Sequence, residues 1–111
     1  MSTTDIGNAA ETAVVKELIR QGFKVLDRNW KTKLCEVDII VEKDAVVWFI
    51  EVKYRHTERF GSGLEYIGPS KLRHMRIAAN LWVDTHDYAG EYTLGAISVT
   101  GQNIVNELVE I

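Results

Sequence analysis

Two neighbouring stretches carry acidic residues inside otherwise apolar sequence, and they constrain the fold more than any other feature. Between Leu34 and Glu42, apolar and acidic side chains alternate with the period-two pattern of a β-strand. Val46 to Arg55 is a longer apolar run that becomes alternating at its end, as expected of a central strand. Lys43 and Asp44 would form the turn between them. These stretches therefore predict a strand hairpin in the middle of a sheet.

The rest of the chain supplies two helices and three further strands. With 46% hydrophobic and 26% charged residues over 111 positions, we expect a single domain spanning residues 1–111. Gly61, Gly63 and Gly68 punctuate a loop before the second helix. The order of elements predicts an α/β fold with one mixed sheet flanked by helices. The predicted elements are a helix from Asn8 to Gln21, a strand from Phe23 to Trp30, a helix from Ser70 to near His86, and strands from Tyr92 to Val99 and from Ile104 to Ile111.

The composition argues against a disulfide-linked, zinc-binding or membrane-spanning protein. The only cysteine, Cys35, cannot form an internal disulfide, and one cysteine with three scattered histidines does not make a zinc site. No apolar run approaches the roughly 20 residues that a bilayer requires. We therefore expect a soluble, cytoplasmic protein with no membrane partner. A domain this small buries only about two-thirds of its unfolded surface, so a homodimer is a reasonable alternative to a monomer.

The charge is unevenly distributed. The chain carries a net charge of -3, whereas residues 53–76 alone carry +4. A local excess of Lys and Arg is the usual footprint of phosphate binding. The segment is a candidate phosphate-facing surface, although a solvated helix face followed by a charged loop would give the same pattern. Its cations are Lys53, Arg55, Arg59, Lys71, Arg73 and Arg76.

The acidic residues of the hairpin predict a metal site. Alternation places Glu36 and Asp38 on one face of their strand, and Glu51 and Lys53 on one face of the next, so that the two faces can coincide. Carboxylates close together on a half-buried sheet repel one another unless a cation lies among them. Mg²⁺ needs only one or two protein carboxylates, which Asp38 and Glu51 could supply. Lys53 could orient the attacking water or neutralise charge in the transition state. Glu11, on the buried half of the first helix, could complete the site.

The motif has a counterpart among known nucleases. An acid on one strand followed by acid-x-Lys on the next resembles the PD-(D/E)xK superfamily. The fuller pattern resembles the bacterial YraN family of inferred endonucleases, which is similar to archaeal-type Holliday-junction resolvases. The segments that carry this resemblance are Gly22-Phe23, Arg28-Asn29-Trp30, Glu36-Val37-Asp38-Ile39-Ile40, Phe49-Ile50-Glu51-Val52-Lys53-Tyr54-Arg55, Phe60-Gly61 and Lys71.

The resemblance implies a restriction-endonuclease-like αβββαβ core, with an extra strand at the C-terminal end. It also implies an endonuclease that acts on branched or structured DNA and depends on Mg²⁺, with Mn²⁺ as a substitute for that ion. The implied roles are metal binding for Asp38, Glu51 and the Val52 carbonyl, catalysis for Lys53 and Glu11, an accessory role for Glu36, and DNA binding for Arg55, Lys71 and Arg73. This chain departs from the family in having Cys35 and Ala10 where glycine is usual before Glu36 and Glu11.

Two other functions remain open from the sequence. The negative net charge and the two departures from the family pattern are also compatible with a non-catalytic nucleic-acid-binding module on the same fold. Exposed aromatic side chains, such as Trp48, Tyr54 or Trp82, would instead suit a scaffold that binds a protein partner, although such residues more often belong to a core or a dimer interface.

Overall fold

The computed structural model describes residues 3–55 and 67–111. Some residues of the cationic segment, the family pattern and the predicted loop lie outside the described residues, namely Arg59, Phe60, Gly61 and Gly63. The described elements are α1 (Thr3–Arg20), β1 (Lys24–Lys31), β2 (Glu36–Lys43), β3 (Val46–Arg55), α2 (Pro69–Thr85), β4 (Glu91–Thr100), β5 (Ile104–Val105) and β6 (Val109–Glu110).

The strands form one mixed sheet in the order β1-β2-β3-β4-β5, with β6 also paired to β4. β1, β2 and β3 are antiparallel neighbours, whereas β3 and β4 run parallel from the Val46–Glu91 pair to the Arg55–Thr100 pair. The parallel pairing is possible because α2 carries the chain from one end of the sheet back to the other. The predicted mixed α/β architecture is therefore confirmed.

The two helices cover opposite faces of the sheet. α1 packs on one face through Ala10, Val14 and Leu18, which are almost completely buried. α2 packs on the other face through Met75, Ala78, Ala79 and Trp82. We call these the α1 face and the α2 face. Along β3 the alternation is regular, so that Phe49 lies in the α2-face core and Ile50 in the α1-face core.

The predicted elements differ from the observed ones at several ends. α1 begins at Thr3 rather than at Asn8, and it ends at Arg20 rather than at Gln21. The β2–β3 turn is Asp44–Ala45, one residue later than predicted, since Lys43 pairs with Val46. Both turn residues have positive φ, 53° and 64°, which is the type I′ geometry that matches the twist of a hairpin.

The tail does not form the single strand predicted from Ile104 to Ile111. Val105 pairs with Val99 and Val109 pairs with Ala96, so the tail advances four residues while its partner strand moves three. The additional residue breaks the ladder into two short strands. Asn106 lies in this break, where its main-chain N–H donates to the Ser98 carbonyl at 2.9 Å.

β1 and β2 both change faces at the same point. Arg28 pairs with Ile39, and Trp30 pairs with Val37, so Asn29 lies opposite Asp38 in the same register. Ile39 belongs to the α1-face core, whereas Val37 and Trp30 pack in the α2-face core. Regular alternation would put Val37 and Ile39 on one face. The reversal coincides with a positive φ of 53° at Asn29.

Neither helix within residues 3–55 and 67–111 is long and apolar enough to cross a membrane.

Candidate active site

Asp38 lies where β2 and β3 separate. The two strands pair from Lys43–Val46 as far as Ile39–Ile50, and no pair is formed beyond that point. The carboxylate of Asp38 accepts a hydrogen bond from the main-chain N–H of Val52, with a distance of 2.8 Å from N to Oδ2. The Asp38 side chain therefore binds the Val52 N–H, which lies just beyond the last paired residues of β2 and β3. This fixes the Asp38 carboxylate at the point where the sheet opens.

Glu51 lies across from Asp38 on β3 and is largely buried, with 8% of its surface exposed. Lys71, in the first turn of α2, places its Nζ 3.0 Å from Glu51 Oε2. Within the described part of the chain, Glu51 Oε2 forms this ion pair but accepts no other hydrogen bond. The neighbouring Glu51 carboxylate raises the pKa of Lys71 against the opposing effect of burial. In this structure Lys71 thus contacts a carboxylate that was predicted to bind a metal.

The environment of Asp38 opposes its negative charge. Burial is the largest cause, and the Glu51 carboxylate is the next, so that together they raise the pKa of Asp38 from 3.8 to about 7. The hydrogen bond from Val52 and the charge of Lys71 act in the other direction without cancelling the rise. A carboxyl that is hard to ionise beside a second carboxylate is a characteristic of sites that bind a cation or transfer a proton.

Glu11 and Glu36 form a second pair of acids, joined by Asn29. The hydrogen-bond partners define the orientation of the Asn29 amide, whose NH₂ group donates to Glu11 Oε1 at 2.9 Å and to Glu36 Oε1 at 2.8 Å. Burial raises the pKa of Glu11, with further contributions from Glu36 and Glu51. The Arg28 guanidinium partly offsets this, and it also donates to Thr12 Oγ1 at 3.4 Å.

The four acids thus divide between two groups. Strict alternation along β2 would place Glu36 on the same face as Asp38, but the reversal at Asp38 interrupts that alternation. Glu36 instead contacts Asn29, which also holds Glu11 of α1. The carboxylates of Glu11, Asp38 and Glu51 still interact electrostatically, because both Glu11 and Glu51 contribute to the raised pKa of Asp38.

The predicted cationic residues occupy different surroundings. Lys53 is two residues beyond Glu51 on the same strand, hence on the same face, and pairs in register with Ser98. Arg55 ends β3 and donates from Nη1 to the Tyr54 carbonyl at 2.9 Å. Arg73 is exposed and, being two residues from Lys71, projects from a different side of α2. Lys71, also assigned to DNA binding, contacts the Glu51 carboxylate.

Cys35 lies beside the acidic residues. Its Sγ is 3.5 Å from the Glu36 carbonyl, which the thiol can contact as a weak donor. Burial raises the pKa of the thiol, and the charges of Glu51, Asp38 and Glu36 raise it further against the effect of Lys71. A thiol kept protonated is a poor nucleophile and a poor metal ligand. The raised pKa therefore argues against a role for Cys35 as a nucleophile or a metal ligand.

The donor set suits a hard divalent cation better than a soft one. Asp38 and Glu51 both offer carboxylate oxygens, and the charge of Glu51 contributes to the raised pKa of Asp38. A cation bound between them would lower that pKa again. Two carboxylates are sufficient for Mg²⁺, which keeps several of its waters. Among the described residues, however, no group of three or more His, Cys, Asp or Glu side chains is arranged to hold a metal. Val52 is observed as a donor to Asp38 through its N–H.

Asn29 is the residue in this site that had no predicted role. The sequence carried one signal, since asparagine is among the few residues other than glycine that tolerate a positive φ. That signal does not identify which strand residue will adopt the conformation. The contact between Lys71 and Glu51 was equally hidden, because the two residues are twenty positions apart and meet only through the packing of α2 on the sheet.

Sequence comparison places the chain among bacterial relatives of similar length. A family model described as "Uncharacterised protein family UPF0102" matches residues 10–102. The UPF0102 protein FN1370 of Fusobacterium nucleatum is 40% identical over 88 residues, covering 79% of this chain and 74% of the relative. The UPF0102 protein VP0448 of Vibrio parahaemolyticus is 37% identical over 109 residues, covering 93% and 88%. A UPF0102 protein of Mycolicibacterium gilvum is 39% identical over 119 aligned positions, covering 100% and 97%.

Proposed function

The chain belongs to the uncharacterised protein family UPF0102, and we propose that it is a metal-dependent endonuclease of the PD-(D/E)xK superfamily. Its proposed substrate is a phosphodiester bond in branched or otherwise structured DNA, and its proposed cofactor is Mg²⁺, with Mn²⁺ as a substitute. We place the protein in the cytoplasm, where it would act as a homodimer presenting two sites.

One observation carries the proposal. Asp38 is fixed at the opening between β2 and β3, directly across from the buried Glu51, and burial together with the Glu51 carboxylate raises the pKa of Asp38. Lys71 compensates the charge of Glu51, but the pKa of Asp38 stays raised in its presence, so a structural role would be better served by a neutral side chain at position 38. The pair is therefore best explained as ligands for a cation that arrives with the substrate.

The residues around this pair have complementary roles. Asp38 and Glu51 would hold Mg²⁺, which polarises a phosphate oxygen and lowers the pKa of a bound water. Lys53, on the same face as Glu51, would neutralise charge that develops on the phosphate. Glu11 would approach the attacking water from the α1 side. Arg55 and Arg73 would contact phosphates on either side of the scissile bond, and Lys71 would join them when it leaves Glu51.

The direct test is cleavage of labelled junction, flap, duplex and single-stranded DNA in Mg²⁺ and in Mn²⁺. Asp38→Asn and Lys53→Ala should each reduce the rate by about 100-fold or more, as expected for loss of a metal ligand or of a charge-stabilising group. Asp84→Asn, at an exposed position of α2, is the matched control and should cleave normally. Cleavage that persists in both site variants would refute the proposal.

A non-catalytic nucleic-acid-binding module is the second candidate. The observation that favours it is the Lys71–Glu51 ion pair, which compensates the buried carboxylate without a metal. This function predicts salt-dependent DNA binding, no cleavage, and no change in melting temperature on addition of Mn²⁺. A metal-dependent rise in melting temperature that disappears in Asp38→Asn would exclude it in favour of the first proposal.

A further inference from the structure

We propose that Asn29 is a positioning residue of the candidate active site, which brings Glu11 of α1 and Glu36 of β2 together on one side of the opening between β2 and β3. The inference rests on the proposed function for its catalytic meaning. Its structural part concerns the position of two carboxylates and can be tested without any substrate.

The first support is the backbone of Asn29. It lies in the interior of β1, where residues normally have negative φ, yet its φ is 53°. Asparagine and glycine are the residues that adopt this conformation most readily, whereas β-branched or bulky residues strain it. A left-handed residue inside a strand is therefore an unusual feature, and such conformations concentrate at functional sites.

The second support is what this conformation does to the neighbouring strand. Asn29 lies opposite Asp38, and the faces exchange across this position in both β1 and β2. Without the reversal, Glu36 would project from the face opposite α1. The left-handed residue therefore allows Glu36 to approach the helix that carries Glu11.

The third support is the side chain. The two hydrogens of one amide are divided between Glu11 at 2.9 Å and Glu36 at 2.8 Å. Two carboxylates that face one another repel, and a donor between them reduces that repulsion. The amide thus links α1 to β2 through a pair of acids and limits where the Glu11 carboxylate can point. Asn29 itself is exposed, so this linkage stands at the accessible side of the site.

A purely structural role for Asn29 would account for its positive φ but not for its amide contacts with Glu11 and Glu36. Two substitutions separate the contribution of the backbone conformation from that of the amide. Asn29→Gly permits the positive φ and removes only the amide. Asn29→Asp keeps the size and the tolerance of positive φ, but it presents an acceptor to two other acceptors. Asn103→Gly is the matched control, because Asn103 also has a positive φ, 63°, in the exposed turn between β4 and β5.

The substrate-free test follows the side-chain NH₂ signals of Asn29 by ¹⁵N NMR, assigned through their loss in Asn29→Asp. Glu11→Gln and Glu36→Gln should each shift these signals more than those of Asn103. If neither substitution moves them, the amide does not bridge the two acids and the inference is overturned, whatever the protein cleaves.

The kinetic test uses the substrate found in the cleavage screen. Asn29→Gly and Asn29→Asp should lower kcat by about 10- to 100-fold, as expected when a catalytic group is displaced by about 1 Å, with little change in KM. Asn103→Gly should leave both constants unchanged. A normal kcat in Asn29→Gly would overturn the inference. If the wild-type protein cleaves nothing, the proposed function fails, and the NMR result alone then decides the role of Asn29.

Discussion

At the scale of single residues, Asp38 shows how the fold opposes a charge that the proposed chemistry requires. Its pKa is raised by burial first and by Glu51 second, to about 7 from 3.8. A carboxyl whose pKa is higher in the folded state binds more protons there than in the unfolded chain. The folded state consequently loses stability as pH rises from about 4 to about 7, and the loss is complete above that range.

Because the charged form of Asp38 destabilises the folded state, removing the charge in Asp38→Asn should stabilise it. The variant keeps an oxygen that can accept the Val52 N–H but carries no charge, so it should be more stable than the wild type at pH 8 by about 1–3 kcal/mol. The difference should shrink as pH is lowered toward 4. Urea unfolding at several pH values in a chelating buffer measures it. Asp84→Asn should show no such trend, and an Asp38→Asn variant that is less stable at pH 8 would contradict the expectation.

Lys71 provides the opposite case, in which removal of a charge should destabilise the fold. Its Nζ is 3.0 Å from the Glu51 carboxylate, which is 10% exposed, while the Lys71 side chain is 37% exposed. Lys71→Met would leave a buried acid without its cation and should cost about 1–3 kcal/mol, less than a fully buried pair because water reaches the lysine. Lys16→Met, at an exposed position of α1, is the matched control and should stay within about 0.5 kcal/mol of the wild type. Equal stability of the two variants by chemical denaturation would show that the ion pair contributes little.

At the scale of helices and strands, the regular features were predictable and the site-forming irregularities were not. β3 was predicted with its observed bounds, Val46–Arg55, because its apolar run is continuous and its end alternates. The same rule of alternation failed for β2, whose faces reverse at Asp38, opposite the positive φ of Asn29 in β1. A period-two pattern assumes that every residue of the strand has the same backbone conformation, so it cannot predict a single residue that departs from it.

β4 has no room for a side chain at Gly95. A Cβ at Gly95 would lie 2.8 Å from the Trp48 ring and 2.9 Å from Leu108 Cδ1, both closer than atoms can pack. Gly95→Ala should therefore destabilise the protein by about 1–3 kcal/mol, because the ring and the leucine must move together. Gly7→Ala, in α1, meets no atom within 4 Å and should instead stabilise it by about 0.5–1 kcal/mol. Thermal unfolding of the two variants compares the signs directly, and a neutral Gly95→Ala would mean that the tail adapts easily.

At the scale of the whole molecule, the two helices occupy opposite faces, and the sheet opens where β2 and β3 part. Asp38 lies at that opening. Its carboxyl interacts electrostatically with Glu11 of α1 and with Lys71 of α2, so residues from both helical layers meet at this point. The net charge of -3 means that DNA would be attracted by a local group of cations and repelled elsewhere. Binding should therefore involve few phosphates.

That expectation can be measured through salt dependence. If Arg55, Lys71 and Arg73 together neutralise two or three phosphates, the slope of log affinity against log salt should be about -2 to -3. This slope corresponds to a loss of affinity of roughly 15- to 65-fold between 50 and 200 mM salt. Arg73→Ala should reduce the magnitude of that slope by about 1. Arg20→Ala changes the net charge by the same amount at the far end of α1, where Arg20 is paired with Glu17, and should leave the slope unchanged. Binding to a labelled junction in Ca²⁺ provides the measurement. Identical slopes for the two arginine variants would place the DNA on another surface of the protein.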